Sequence, residues 1–63
     1  MATAGELREA LQRLRNASPA EKNAAKSAAL TLGAQTALEI SDRTARGQFV
    51  ASFESDINAA ADA

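Results

Sequence analysis

Residues 30–39 read LTLGAQTALE, and this stretch decides how many helices the chain forms and where they end. Gly33 directly follows Leu32, and a glycine suits the left-handed position that ends many helices. Thr36 and Glu39 then fit the Thr-x-x-Glu capping box, in which a hydroxyl and a carboxylate satisfy the first free amides of a new helix. The stretch therefore predicts that a second helix ends at its glycine and that a third begins within the same ten residues.

A second interpretation of this stretch keeps the helix continuous. Glycine inside a helix costs only about 1 kcal/mol relative to alanine, and the neighbouring residues are good helix formers. On this interpretation the second helix runs through Gly33 to about Arg46, and the chain bends at Gly47 instead. The two glycines are thus the candidate helix breaks.

Two further capping boxes precede this stretch. Thr3 with Glu6 forms one, and Ser18 with Glu21 forms the other, where Pro19 also suits a first helical position. No segment alternates polar and apolar residues as a half-buried strand does. The sequence predicts an all-α fold, either a small three-helix bundle or a helical hairpin with the N-terminal helix as an arm. The predicted helices span about 4–16, 19–32 and 37–60, in one domain covering 1–63.

Chain length and composition indicate self-association. A chain of 63 residues rarely gains more than about 3–5 kcal/mol from a single core. It has no Cys for a disulfide and no His for a metal site, and its hydrophobic fraction is mostly alanine. Leu30 and Ile40 also fall off the apolar stripes of their predicted helices, which indicates a second apolar surface. We expect a homo-oligomer, with a dimer as the commonest closed form.

Residues 42–49, DRTARGQF, place polar side chains where the third predicted helix should be apolar. Asp42 and Arg46 project onto the same face as Phe49 and Phe53 at 100° per residue. Three interpretations stay open. The helix start is solvated, or the two side chains pair at a seam between subunits, or the arginine binds an anionic or planar ligand.

The charge and the residue types of the chain argue against several classes of function. The net charge is −1 and the isoelectric point is about 5.2, so we expect no binding to duplex nucleic acid. No apolar run approaches the ~18 residues of a membrane span, and the N-terminus lacks the pattern of a signal peptide. We expect a cytoplasmic protein. The nucleophile–base pairs of enzymes need residue types that this chain lacks or does not place together, so we expect no enzyme, cofactor or metal.

These exclusions favour a binding protein. We expect a small regulator or inhibitor that docks on a larger protein, of a type found in bacteria and phages, where counter-defence is one such role. The alternative is an oligomer that sequesters an anionic small molecule, such as a nucleotide, at a subunit interface. The candidate partner-binding residues are Leu30, Ile40, Phe49 and Phe53, and the candidate ligand-binding residues of the alternative are Arg43, Arg46, Gln48 and Phe49.

Overall fold

A computed structural model describes residues 3–63, and this range forms three α-helices without any strand. The helices are α1 (Ala4–Asn16), α2 (Lys22–Leu38) and α3 (Arg43–Ala61). Each helix contacts both of the others, so the chain forms a closed bundle and not a hairpin with a detached arm. The all-helical prediction is confirmed, while the first two residues of the predicted domain lie outside the described range. No helix between residues 3 and 63 is both long and apolar enough to cross a membrane.

The first helix has the bounds that the sequence predicts. Thr3 is extended and its hydroxyl accepts a hydrogen bond from the backbone amide of Glu6 at 3.2 Å, so this capping residue starts α1 as expected. Leu14 is fully buried, while Leu7 and Leu11 pack against the core from the same helix face. The capping residue and the leucine spacing agree, and the predicted helix over residues 4–16 is confirmed.

The predicted start of the second helix at residue 19 is wrong. Residues 19–21 form a turn, in which the amide of Glu21 donates to the carbonyl of Ser18 at 2.9 Å. Pro19 takes the first central position of this turn, which its fixed φ suits as well as it suits a helix start. The helix begins at Lys22, and no side chain caps it.

The predicted break at Gly33, and the predicted third-helix start at residue 37, are also wrong. The second helix continues to Leu38, and the Thr36 hydroxyl donates to the Leu32 carbonyl at 2.9 Å inside it. Gly33 is buried because the ring of Phe53 lies directly against it, and a β-carbon added there would stand 2.5 Å from the ring's Cδ2 atom. The glycine serves close helix packing and not helix termination.

The continuous-helix interpretation is right about Gly33 and wrong about the residues after Leu38. The second helix stops there, well before Arg46, and Gly47 lies inside the continuous helix α3. The break falls in residues 39–42 instead, where the amide of Ile40 donates back to the Ala37 carbonyl at 3.1 Å.

The core lies where α3 crosses the other two helices. The second helix buries Ala29, Gly33 and Ala37, which repeat every four residues along one face. Such small residues let the aromatic and aliphatic side chains of α3 approach the α2 backbone closely. The buried core cluster consists of Leu14, Ala29, Phe53, Ile57 and Ala60.

Candidate partner-binding groove

An open apolar groove of about 420 Å³ runs between α2 and α3. Its floor is made by the buried residues Gly33, Ala37 and Phe53, and exposed leucines of α2 line one side. On the α3 side Glu54 carries the one charge among the described residues that line the groove. The groove therefore offers an almost wholly apolar surface with a single carboxylate.

The groove exists because α2 presents small side chains to the aromatic part of α3. Gly33 has no side chain and admits the Phe53 ring, while Phe49 stacks on that ring with centroids 5.5 Å apart and planes 10° from parallel. Ala34 and Ala37 are too short to cover these rings from the other helix. Phe49 consequently stays only half-buried.

Three large aliphatic side chains stand exposed around this groove. Leu38 is 82% exposed, Leu30 44% and Val50 37%. These are the exposed large hydrophobic residues in the described part of the chain, and all three line the groove. One exposed leucine is ordinary on a protein surface. Three that line the same groove concentrate the exposed large apolar side chains of the described residues on one side of the bundle.

The structure brings together three of the four predicted partner-binding residues. Leu30, Phe49 and Phe53 line the groove, although Phe53 is only 7% exposed and forms its floor. Ile40 is half-buried in the loop after α2 and lies outside the groove lining.

Sequence reasoning missed two residues of the groove rim. The predicted helix start at residue 37 puts Leu38 on the apolar face of the third helix. It is instead the last residue of α2 and is exposed there. Val50, which is not among the predicted partner-binding residues, forms the α3 rim. The correct end of α2 is the signal that would have found Leu38.

The polar residues of the stretch 42–49 close the loop before α3. The Asp42 carboxylate accepts a hydrogen bond from the Ala45 amide at 2.7 Å and so caps α3. The Nε of Arg46 donates to the carbonyl of Ile40 at 3.0 Å. Both side chains are exposed, as a solvated helix start requires, and each has a structural role within its own chain.

The residues of the predicted anion site do not converge on one cavity in a single chain. At 100° per residue, Gln48 lies roughly 160° around the α3 axis from Arg46, on the opposite side of the helix. Phe49 lines the apolar groove, whereas Arg43, Arg46 and Gln48 are outside its lining as the structure describes it. A site that used both Arg46 and Gln48 for one anion would therefore need a second chain.

The groove lining consists of apolar residues and one carboxylate, that of Glu54. Across residues 3–63, no three His, Cys, Asp or Glu side chains cluster closely enough to hold a metal ion. No protein-family model, curated protein or solved structure matches this chain.

Proposed function

We propose that this chain is a small non-enzymatic binding protein, a regulator or inhibitor, whose α2/α3 groove holds an amphipathic helix of a larger protein. The observation that carries the proposal is the convergence of the exposed Leu30, Leu38 and Val50 on one groove. A groove between two helices, with an aromatic floor and aliphatic rims, suits the helix-in-groove mode of peptide recognition. We place this activity in the cytoplasm of a bacterium or a phage-infected cell.

The groove specifies the chemistry of the partner helix. Apolar side chains at positions i, i+3, i+4 and i+7 would fill the space above Gly33 and Phe53. Glu54 lies beside this apolar surface, so a Lys or Arg at the matching edge of the helix would meet a complementary charge. The partner is therefore an amphipathic helix with a basic residue flanking its apolar stripe.

Anchoring residues belong at the rim and not in the floor. Large side chains that lose their water on binding carry most of the energy of an interface, and a side chain already buried in the free protein has little water to lose. Leu38 and Val50 are accessible to a partner, whereas Phe53 packs on Gly33 within the bundle. Replacing Phe53 would damage the fold, so it is a poor probe of binding.

Selection of helical peptides from a display library against the immobilised protein tests the proposal. We expect the selected peptides to share an apolar stripe with a flanking basic residue, and to shift the amide NMR signals of groove residues. Leu38→Gln should weaken peptide binding about tenfold or more, because a large aliphatic contact is lost. The matched control is Ser55→Gln, which introduces the same side chain at an exposed position on the far side of α3.

Two results would contradict the proposal. One is a set of peptides whose NMR shifts map to the outer face of α1 instead of the groove. The other is equal peptide affinity in Leu38→Gln and Ser55→Gln. The charge requirement has its own check, since Glu54→Lys should abolish the preference for basic peptides and favour acidic ones.

A further inference from the structure

The folded chain exposes more surface than a monomer of its mass should. Its accessible surface is 4429 Å² at a mass of 6.5 kDa. The usual scaling for folded monomers gives about 3,800 Å² at this mass, so the excess is about 600 Å². The radius of gyration of 11.5 Å also exceeds the roughly 10.6 Å expected for this length. A neighbouring molecule that covered the excess would restore an ordinary ratio of surface to mass.

The apolar part of this surface is concentrated on one side of the bundle. Leu30, Leu38 and Val50 are the exposed large hydrophobic residues within the described range, and they share the α2/α3 groove. The remaining large apolar side chains of α1 pack against the core. The groove face is therefore the surface that gains most from being covered.

We infer that a second copy of this chain covers the groove while the partner helix is absent, so that self-association regulates the site. This inference rests on the proposed function, because it names what competes for the same groove. Two copies would place their groove faces together about a two-fold axis, which makes a closed and self-complementary contact. If the contact covers an area equal to the whole excess, about 600 Å² on each copy, it buries about 1,200 Å² in total, which is the lower bound for a specific, stable interface.

The charge of the groove keeps this dimer weak enough to open. A net charge of −1 per chain opposes association only slightly. Each copy, however, brings Glu54 to the contact, and no cation lies among the described residues of the groove lining. The dimer thus desolvates two carboxylates without matching them, whereas a partner helix with a basic residue supplies the missing charge. We expect a dissociation constant in the micromolar range, because weak and transient complexes lie at the low end of buried area and the two carboxylates stay unmatched.

Mass measured against concentration tests the inference. Because the chain has no Trp or Tyr, size-exclusion chromatography with light scattering needs refractive-index detection. We expect the mass to rise from 6.5 kDa toward twice that value as concentration increases from about 1 μM to about 1 mM. A monomer over the whole range, or an oligomer that grows beyond two copies, would overturn the inference.

Rim variants locate the contact. Leu38→Gln and Val50→Gln should each raise the dimer dissociation constant about tenfold, whereas Ser55→Gln should leave it unchanged. Leu38 is 82% exposed in the monomer, so its replacement should keep the helix content measured by circular dichroism. Dimerisation that survives both rim variants would place the contact elsewhere and refute the inference.

Peptide titration separates this inference from the proposed function. A selected peptide should convert the dimer into a complex of one chain and one peptide, with an apparent affinity that falls as protein concentration rises. A monomeric protein that binds the peptide in its groove would refute the inference and support the proposed function. A dimer sensitive to Leu38→Gln that no selected peptide opens would support self-association and count against the proposed function.

Discussion

The two halves of α3 lie in opposite environments although they belong to one continuous helix. In the C-terminal half, Ile57 and Ala60 are each only 1% exposed and belong to the cluster that holds Leu14 of α1. In the N-terminal half, Phe49 is half-buried and Val50 is 37% exposed. The C-terminal half of α3 is covered where it packs against the leucines of α1, and we call it the sealed half. The N-terminal half is partly exposed where it lies against the small residues of α2, and we call it the open half.

This difference separates stability from binding within a very small protein. A single core of this size contributes about 3–5 kcal/mol to stability, so few apolar side chains can be left exposed for binding without unfolding the protein. The sealed half supplies that core through fully buried side chains such as Leu14. The open half keeps its aromatic rings in place through Gly33 while leaving the groove beside them uncovered.

The largest expected effect is in the sealed half. Leu14→Ala removes a fully buried side chain and should cost about 2–5 kcal/mol, because the cavity cannot close completely. This loss is comparable to the expected stability, so most of the variant should be unfolded at room temperature. Helix content by far-UV circular dichroism, followed through urea titration, measures the change.

Val50→Ala is the counterpart in the open half. Its side chain is 37% exposed, so truncation should cost about 1 kcal/mol or less. A larger loss of unfolding free energy in Val50→Ala than in Leu14→Ala would contradict this comparison, because it would show that the open half contributes more to stability than the sealed half.

The next effect is at the boundary between core and groove. Gly33→Ala would place a β-carbon 2.5 Å from the Phe53 ring, and Phe49 stacks against that ring. Overpacking of this kind costs about 1–3 kcal/mol, and the close approach to the ring places this site in the upper part of that range, above the gain of about 1 kcal/mol from replacing glycine in a helix. Urea unfolding should show a net loss of stability. A more stable variant would mean that the ring moves into the groove at little cost.

Local signals predicted part of the fold, and Thr3 and Thr36 show one success and one failure of the same pattern. Thr3 starts α1 as its capping box predicts, because the hydroxyl and the amide that it binds are three residues apart. Thr36 has the same local pattern, yet its hydroxyl bonds to Leu32 inside a continuous helix. The deciding contact there is between Gly33 and Phe53, and no pattern within α2 reveals it.

The groove was predictable only in part, because its lining depends on where the helices end and on how they pack together. The position of Leu30 off its helix stripe indicated an exposed apolar surface, and that residue is exposed on the rim. Leu38 was missed because its environment depends on where α2 ends.

The start of α3 was missed for a different reason, since its capping residue is Asp42. Asp is a strong N-cap by itself and needs no glutamate three residues later, so the capping-box pattern does not include it.

A smaller effect is expected at this cap. Asp42→Ala removes the acceptor of the 2.7 Å hydrogen bond from Ala45 and should lower stability by about 0.5–2 kcal/mol. Asp42→Asn keeps an acceptor and should retain most of that stability in urea unfolding. A variant that unfolds like the unmodified chain but dimerises more weakly would instead favour a role for Asp42 at a subunit seam.

The smallest expected effect is a gain in stability, and it completes the comparison of the two helical glycines. Gly47 lies inside α3 without a positive φ, and a β-carbon added there would meet nothing within 4 Å. Gly47→Ala should therefore stabilise the fold by about 0.4–1 kcal/mol, mainly by restricting the unfolded chain. The same substitution should thus have opposite signs at residues 33 and 47, since only the former glycine touches an aromatic ring. Parallel urea titrations at one protein concentration measure both, and destabilisation by Gly47→Ala would reveal a close neighbour at that surface in the assembled protein.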